Sequence, residues 1–573
     1  MNPPDPRTDR QDRLRRLREH RFDLLILGGG VTGAGIARDA ALRGLSVALV
    51  EKADLANGTS SASSKLIHGG LRYLEQFELA LVFEGTRERA TLMRLAPHFA
   101  RPLPFLFPVY ESSRVGLLMV ALGMWAYDLL AMFRNYRRHR MLSKGRTTKA
   151  EPGLLSKGLK GAALYYDCMT NDGRLTLETA IDAEANGAVV ATYVEALEIL
   201  RDSTGSARGL RVQDVLSPEQ EPFEVSAKIT IVAAGPWTDE ILQRLDGKQP
   251  KRLRPTKGSH VVLDRAQLPV NHAVVLTGPT DGRVMFAIPW GARTILGTTD
   301  TDEEAGPDGL EASRADVEYL LEAARSYFPA LTATPDDVIS TWSGLRPLMG
   351  TTEEESESEV SREHSILSLD PGLLAIVGGK LTTYRLMAEQ AVDRALEKLG
   401  TGVSLDPCRT HKVPLPGARL GGHRLRDLPS FSRELAKEHA LDAEVAWHLT
   451  TTYGVRSRAV LAAGRAHGVR PGRLVPDLPY LFDEVVFAVD YELANCLDDV
   501  LRRRTLIFLQ DRDQGLGVCE EVADLMAGPL GWSDERRAAE ITRYRARVAA
   551  SRAYREPAST LENAPEKRRR KGK

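Results

Sequence analysis

The chain has 573 residues, 43% hydrophobic and 27% charged, which is the composition of an ordinary globular protein long enough for two to four domains. Lysine plus arginine and aspartate plus glutamate each total 77, so no global charge points to nucleic acid as a partner. The four cysteines form no C-x-x-C pair and residues 1–21 lack an apolar signal core, which predicts reduced thiols in a cytosolic setting, no disulfide framework and no metal site.

The first predicted unit is Phe22 to Glu51, directly after a polar, basic tail over residues 1–21 that we expect to be disordered. A buried-strand run ends at a glycine turn, an alanine-rich helix follows, and a second apolar run ends in Glu51. Gly28, Gly30 and Gly33 have the G-x-G-x-x-G spacing, which permits a tight turn, close approach of a pyrophosphate and close helix packing. Glu51 lies where a carboxylate can accept hydrogen bonds from the hydroxyls of a ribose. This order of features predicts a dinucleotide-binding βαβ unit.

A loop rich in small polar residues comes next, reading NGTSSASSK over 57–65 and LIHGGLRY over 66–73. Its serines, lysine and paired glycines suit neither a core strand nor a helix, but can place hydroxyls and N–H groups against a polar ligand. The alternative interpretation is a flexible surface loop. The His-Gly-Gly-x-Arg cluster that ends the loop favours ligand binding.

An unusual apolar segment follows a predicted helix over 78–95 and an extended stretch over 97–108. Residues 115–127 are nearly all apolar, and residues 134–146 then carry a dense basic cluster. The apolar run is too short to span a membrane and is interrupted by Asp128. A helix lying in the face of an anionic bilayer and a buried helix followed by a solvated charge run both fit this pattern.

Later segments return to the nucleotide-binding pattern twice. The apolar runs 228–232 and 373–377 each end in a glycine turn, at Gly235 and at Gly378-Gly379, and each turn leads into a helix. Between them, residues 253–348 read as short β-runs that we interpret as an inserted antiparallel sheet. Beyond residue 405 a proline-rich linker leads into mainly helical patterning, and residues 556–573 form a basic tail that we expect to be disordered.

Several of these motifs together carry a family resemblance. The stretches GGGVTGAGIARDAALRGLSVALVE, TSSASSKLIHGGLRYLE, AAGPWTD, KGSHVVL, IPWGARTILGTTD, WSGLRPL, SREH and VGGKLTTYR are similar to the FAD-dependent, quinone-linked glycerol-3-phosphate dehydrogenases, and YELANCLDDVLRRRT to their helical cap domain. The resemblance implies oxidation of sn-glycerol 3-phosphate to dihydroxyacetone phosphate, with electrons passing from FAD to a membrane quinone. It also favours contact with an anionic membrane surface, because family members attach to one membrane face.

The resemblance implies an α/β fold class with an α+β insertion, of the amino-acid-oxidase type. We expect a Rossmann-type FAD-binding domain built from 22–110, 150–250 and 350–400, a membrane-contact segment over 111–149, a substrate domain over 251–349 and an all-helical domain over 405–555. We expect the protein at the cytoplasmic face of the inner membrane, attached peripherally, with a partly cytoplasmic pool and a homodimer as open alternatives.

The same motifs indicate site residues. His260 is the candidate general base, because a neutral imidazole titrates near working pH, and Arg346 polarises the reacting hydroxyl. Arg72, Arg362 and Lys380 are assigned mainly to the substrate phosphate. Competing interpretations make His260 a structural residue and place Lys380 at the pyrimidine end of the flavin. The predicted FAD-binding residues are Gly28, Gly30, Gly33, Glu51, Thr59, Ser60, Ser61, Ser63, Ser64, Lys65, Leu66, His68, Gly70, Ala234, Gly235, Trp237, Gly379, Lys380, Leu381 and Thr382.

Other functions remain open from the residues. A glycerol-3-phosphate oxidase would use the same chemistry with oxygen as acceptor, and no motif distinguishes oxygen from quinone. An amino- or hydroxy-acid oxidase of the same fold also clamps its substrate with arginine, although several converging cations suit phosphate better. A flavin-bound regulatory protein without turnover and an NAD-dependent dehydrogenase complete the alternatives.

Overall fold

The computed structural model describes residues 10–74, 77–247, 252–278, 281–303, 306–349, 364–400, 406–421 and 423–556, except for the side chains of Arg72, Tyr73 and Asp246. The strands are β1 (Arg21–Leu27), β2 (Val47–Glu51), β3 (Leu66–Ile67), β4 (Arg101–Tyr110), β5 (Arg140–Ser143), β6 (Leu159–Met169), β7 (Val189–Thr192), β8 (Val194–Arg201), β9 (Ala207–Asp214), β10 (Phe223–Val232), β11 (Leu253–Asp264), β12 (Ala273–Thr277), β13 (Val284–Trp290), β14 (Arg293–Gly297), β15 (Thr301–Asp302), β16 (Ser340–Met349), β17 (His364–Asp370), β18 (Leu373–Gly378), β19 (Arg419–Leu420) and β20 (His423–Arg424).

Helices surround the two main sheets and form most of the C-terminal part. They are α1 (Arg10–Glu19), α2 (Val31–Leu42), α3 (Leu79–Leu95), α4 (Leu117–Leu130), α5 (Lys144–Ala150), α6 (Asp172–Ala185), α7 (Thr238–Asp246), α8 (Arg314–Tyr327), α9 (Tyr384–Leu399), α10 (Leu428–His439), α11 (Ala443–Tyr453), α12 (Ser457–Ala466), α13 (Phe482–Tyr491), α14 (Leu497–Asp499), α15 (Ile507–Gln510), α16 (Cys519–Leu530) and α17 (Asp534–Ser551). A π-helical turn over Val500–Arg504 follows α14. No described helix is long and apolar enough to cross a membrane.

The first sheet is the predicted dinucleotide-binding sheet. Its strand order is β17-β18-β10-β1-β2-β7, in which β18, β10, β1, β2 and β7 run parallel. The apolar run of β1 is buried because the strand lies at the centre of this sheet. Helices α2, α6 and α9 share one hydrophobic core with it. Three glycine turns therefore leave the carboxyl ends of neighbouring strands β1, β10 and β18, which is where α/β sheets bind their ligands.

The second sheet is larger than its predicted boundaries. It runs in the order β15-β11-β14-β13-β12-β4-β6-β3, with β16 on β11 and β5 on β6. All its pairs are antiparallel except β12 with β4. The predicted boundaries place strands β3, β4 and β6 in the FAD-binding domain, whereas in the structure these strands pair within the second sheet. They join the second sheet because β4 and β6 pair along nearly their whole length and β4 then pairs with β12.

The N-terminal tail was also predicted wrongly in part, because Arg10–Glu19 is a helix rather than disordered chain. Leu14 and Leu17, one turn apart, are fully buried against the outer face of the first sheet. Arg10 pairs with Asp214 at 2.5 Å, and Arg13 with Glu184 at 2.6 Å. Two apolar anchors and matched ion pairs stabilise this helix despite its basic composition. The expectation for 556–573 falls almost wholly outside the described residues.

The C-terminal helices attach to the first sheet through buried charges. Arg174 of α6 forms a two-pronged ion pair with Glu492, and both side chains are fully buried. Arg504 donates to both oxygens of Asp54 at 2.5 and 2.8 Å. Charge-assisted pairs of this kind fix orientation as well as contact. All four cysteines are free thiols, as predicted.

Candidate active site

A cavity of about 820 Å³ lies between the two sheets. Its lining includes the three glycine turns, the serine-rich loop, strands β11 and β16 and the segment after β14. A volume of this order matches that of binding sites for cofactors and drug-sized ligands. The sequence motifs from distant parts of the chain therefore meet around one space.

The first glycine turn forms one end of this cavity, where α2 begins. A side chain at Gly28 would place its Cβ 2.5 Å from the carbonyl oxygen of Ala233, and one at Gly33 would place it 1.9 Å from that of Gly28. Gly30 and the first residues of α2 line the cavity directly. Backbone N–H groups and the positive end of the α2 dipole thus lie at the cavity, where Ser60 Oγ accepts from the N–H of Val31 at 2.9 Å. Helix N-termini of this kind bind phosphate groups.

Glu51 closes the other side of this turn. Its carboxylate accepts hydrogen bonds from the N–H groups of Gly29 at 2.6 Å and Ala53 at 2.9 Å, and burial raises its pKa. The carboxylate also lines the cavity. It therefore fixes the turn and still presents an acceptor to a ribose hydroxyl.

The serine-rich loop is held from below by a buried aspartate. Asp172 accepts from Ser63 Oγ at 2.7 Å and from Lys65 Nζ at 2.8 Å, and Lys65 also donates to the carbonyl of Ser61. Lys65 is buried in this pair rather than directed into the cavity. These bonds hold the loop in one conformation, and Lys65 stabilises it from the side that faces away from the cavity.

His260, on β11, lines the cavity beside the serine-rich loop, and its ring is tightly confined. The ring stacks on Trp342 with centroids 4.7 Å apart and planes 9° apart, and Nε2 is 2.8 Å from Ser64 Oγ. Burial first, and then the positive charges of Arg346 and Lys65, hold the pKa of His260 well below its usual value. His260 is therefore neutral at physiological pH, and its pKa lies below the working range that the sequence predicted.

Arg346 packs against Gly258 of β11, and Gly344 of β16 packs against the serine-rich loop. A Cβ on Gly258 would lie 2.4 Å from Arg346 Nη2, and one on Gly344 would lie 2.8 Å from the carbonyl oxygen of Ala62 in the serine-rich loop. Asp300 anchors the guanidinium at 2.7 Å. The arginine is thus directed along β11 into the cavity, with its orientation set by a carboxylate.

The strand register explains why these residues meet. Strands β11 and β16 pair antiparallel, so three positions from each share one face: Thr256, Gly258 and His260 opposite Arg346, Gly344 and Trp342. Lys380, at the third glycine turn, lines the cavity with them. An imidazole, a guanidinium and an ammonium therefore line the same cavity, a combination that can accept a proton and bind an anion.

Comparison with known proteins identifies the chain. Residues 23–385 match the model of the FAD dependent oxidoreductase family, and residues 408–537 match the C-terminal domain of alpha-glycerophosphate oxidase. The aerobic glycerol-3-phosphate dehydrogenase of Staphylococcus saprophyticus is 36% identical over 521 residues, 90% of this chain and 92% of that protein. The same enzyme of Staphylococcus haemolyticus is 38% identical over 494 residues, covering 85% and 87%. The chain belongs to the aerobic glycerol-3-phosphate dehydrogenase family.

Solved structures agree with this assignment. The glycerol-3-phosphate dehydrogenase of Bacillus halodurans, crystallised with FAD, superposes with a TM-score of 0.78 at 31% identity, covering 96% of this chain and 99% of that one. The L-alpha-glycerophosphate oxidase of Mycoplasma pneumoniae has a TM-score of 0.52 at 20% identity over 69% of this chain, which shows a shared fold. The predicted family, fold class and FAD cofactor are confirmed.

For this member of the aerobic glycerol-3-phosphate dehydrogenase family, most predicted site residues lie around the cavity. Those lining it are His260, Arg346, Gly28, Gly30, Glu51, Thr59, Ser60, Ser63, Ser64, Leu66, His68, Gly70, Ala234, Gly235, Trp237, Gly379, Lys380, Leu381 and Thr382. Gly33, Ser61 and Lys65 lie behind this lining. Arg362 and the side chain of Arg72 lie outside the described residues, so their phosphate role stays a prediction.

Three supporting groups were missed from the sequence. Trp342 stacks on the candidate base, Asp300 anchors Arg346, and the Asp54–Arg504 pair fixes the chain just after Glu51. For Trp342 a signal existed, since Trp342 and Arg346 are four positions apart on one strand and therefore share a face. For the other two, only the tertiary contact reveals the role.

This chain also carries an exposed apolar surface beside the cavity, which we call the α3–α4 face. It is formed by Phe77, Leu79, Phe83, Leu118, Met119, Leu122, Trp125, Leu129, Met132 and Phe133, with Phe77 84% and Leu118 77% exposed. The opposite side of α4, with Val120, Met124 and Tyr127, is buried. The basic cluster beside it is exposed. Phe77 and Met119 belong to this face and also line the cavity.

Proposed function

We propose that this protein oxidises sn-glycerol 3-phosphate at C2 to dihydroxyacetone phosphate and passes the electrons to a membrane quinone at an anionic bilayer surface. The supporting observation is the cavity itself, which joins a dinucleotide-binding end, a cationic end with a confined histidine, and a mouth on the apolar α3–α4 face. Each part suits one participant: cofactor, substrate and quinone.

The cationic end suits a phosphorylated alcohol. Lys380 supplies a point charge for a phosphate dianion, and we assign Arg72 and Arg362 to the same group. Arg346, oriented by Asp300, donates to the C2 oxygen and stabilises negative charge as it develops there. His260, neutral because of its low pKa, accepts the hydroxyl proton.

FAD, when bound, supplies the acceptor for the hydride that leaves C2. The protein residues that would hold it are the glycine turns, Glu51 and the serine-rich loop. Their glycines leave room for a cofactor, and their donors and acceptor match its phosphates and ribose. The remaining work of the protein is to orient the alcohol, take its proton and exclude water from the reacting carbon.

The acceptor assignment is supported by the α3–α4 face. Large contiguous apolar patches on soluble monomers are uncommon, and one rimmed by arginine fits an interfacial helix on anionic lipid. Because Phe77 and Met119 lie on this face and also line the cavity, an apolar quinone could enter from the bilayer without crossing water. Oxygen, which dissolves in water, would need no apolar entrance from the bilayer.

The acceptor can be tested with purified protein reduced by glycerol 3-phosphate under anaerobic conditions. We expect a short-chain quinone in detergent micelles to reoxidise the flavin many times faster than dissolved oxygen, with dihydroxyacetone phosphate as product. Faster reoxidation by oxygen would assign the protein to the oxidases, the alternative suggested by its match to the alpha-glycerophosphate oxidase C-terminal domain.

Membrane contact can be tested by flotation with liposomes containing anionic lipid. Neutralising Arg137, Arg138 and Arg140 together as glutamine should remove the protein from the liposome fraction, since each basic residue near such a surface contributes roughly 1 kcal/mol. The matched control neutralises the exposed residues Arg433, Lys437 and Arg465 of the C-terminal helices. Equal flotation of both triple variants would reject the assignment of this face.

A further inference from the structure

The surroundings of His260 restrict how it can exchange a proton. The side chain is 2% exposed, and Nδ1 has no hydrogen-bond partner among the residues that the structure describes. Nε2 is 2.8 Å from Ser64 Oγ. One ring nitrogen is therefore sealed inside the protein, and the other is already occupied by a hydroxyl.

The ring is also prevented from turning to expose a different atom. Trp342 covers one face at 4.7 Å, and the indole N–H donates to the carbonyl of Ser63 at 3.2 Å, which ties the stack to the serine-rich loop. At the ring edge, a Cβ on Gly297 would lie 2.1 Å from His260 Cδ2, so the backbone of β14 is already in contact. Rotation would require the strand, the indole or the loop to move.

Ser64 lies between His260 and the cavity. Its hydroxyl lies against His260 Nε2, and the residue lines the cavity. A hydroxyl can donate one hydrogen bond while it accepts another. It can therefore pass a proton on without holding a charge for long.

We propose that Ser64 Oγ carries the proton between the substrate hydroxyl and His260 Nε2, an inference that rests on the proposed alcohol oxidation. As the C2 hydride leaves to the cofactor, the O–H bond of the substrate breaks and its proton bonds to Ser64 Oγ. In the same step the original Ser64 proton bonds to His260 Nε2. Ser64 ends neutral, His260 ends as imidazolium, and the substrate oxygen becomes the carbonyl oxygen.

The electrostatic surroundings fit a transient acceptor. Nε2 can accept only while the neutral ring carries its proton on Nδ1, which has no acceptor among the described residues. Arg346 and Lys65 both disfavour the imidazolium form that follows the transfer. The proton is thus held weakly and returns through Ser64 once the product has left. His260 begins each cycle neutral.

The test compares Ser64→Ala, His260→Ala and the double variant in anaerobic stopped-flow reduction of the bound flavin by glycerol 3-phosphate. Residues that act as one unit are non-additive. We expect each single variant to slow reduction on the order of 100-fold, and the double variant to be no slower than either. Ser343→Ala is the matched control, since it removes a neighbouring hydroxyl of β16 that bonds Ser259 at 2.8 Å and does not line the cavity. We expect that control to reduce at the wild-type rate.

Flavin fluorescence gives a readout independent of turnover, because it measures the dissociation constant of FAD in each variant. Because Ser64 belongs to the loop that would hold FAD, reduction rates are compared at FAD concentrations that saturate each variant according to its measured dissociation constant. If Ser64→Ala reduces its flavin as fast as Ser343→Ala does, His260 takes the proton directly and the relay is wrong. If wild-type flavin is not reduced at all, the proposed substrate fails instead.

A second measurement needs no variant. Two protons move together in a relay, so the reduction rate of the wild-type protein should fall along a curve as D2O replaces H2O. A linear or flat dependence would contradict the relay even if Ser64→Ala proved too unstable to study.

Discussion

Gly258→Ala is the most direct test of how the site is built, because it displaces Arg346 without replacing any charged residue. The added methyl would lie 2.4 Å from Arg346 Nη2 and 2.5 Å from Thr298 Oγ1, whereas carbon contacts in proteins lie near 3.5–4.0 Å. The guanidinium must therefore move by roughly 1 Å, a displacement that can lower a catalytic rate on the order of 100-fold.

The same change should affect stability much less. The guanidinium is the far end of a flexible side chain and part-exposed, so its movement relieves the overlap without shifting the backbone. We expect the flavin reduction rate to fall about 100-fold in stopped-flow experiments, with less than about 2 kcal/mol lost from the free energy of unfolding. Gly528→Ala is the control, since no atom lies within 4 Å of its added methyl and alanine favours a helix. Wild-type reduction by Gly258→Ala would refute the assigned position of Arg346.

Three further predictions concern charged residues. Asp300→Asn should lower the reduction rate at least about tenfold and the unfolding free energy by about 1–3 kcal/mol, because it removes a charge-assisted bond to Arg346; an unaltered rate in stopped flow would contradict this. Arg504→Met should lower the free energy of unfolding by about 3–5 kcal/mol and weaken FAD binding, because the buried carboxylate of Asp54 loses one of its charged partners. An unchanged melting temperature would contradict this prediction. Burial raises the pKa of Asp483 to about 6, above the unfolded value near 3.9, so its contribution to stability is complete below pH 3.9 and is lost as pH rises through 6. Asp483→Asn should therefore gain stability relative to wild type from pH 5 to pH 8, by roughly 1 kcal/mol after allowance for partial exposure, and a constant melting-temperature difference would refute the burial effect.

The sequence predicted what local patterns determine. The glycine turns at Gly28, Gly235 and Gly378 each mark the end of a buried strand, and motif resemblance located His260, Arg346 and Lys380, which the structure places around one cavity. These residues can be recognised from the sequence because chemistry and backbone geometry restrict the residue types that can occupy their positions.

Other features depend on contacts between distant residues. The membership of β4 and β6 in the second sheet follows from pairing with β12, more than 100 residues away, which no local periodicity records. Helix α1 could not be recognised from its arginine-rich sequence, because the acidic residues that pair with Arg10 and Arg13 lie far away in the chain. Asp300 resembles any polar loop residue until the register of β11 with β16 brings Arg346 to it.

The most direct test of the proposed function is an anaerobic titration of the purified flavoprotein with sn-glycerol 3-phosphate, followed at the visible absorption band of the flavin. We expect close to one equivalent of substrate to bleach the band, with an equal amount of dihydroxyacetone phosphate formed. Glycerol, which lacks the phosphate that the cationic end would bind, should require far higher concentrations. A band that persists in excess glycerol 3-phosphate, or equal bleaching by glycerol, would contradict the proposed substrate.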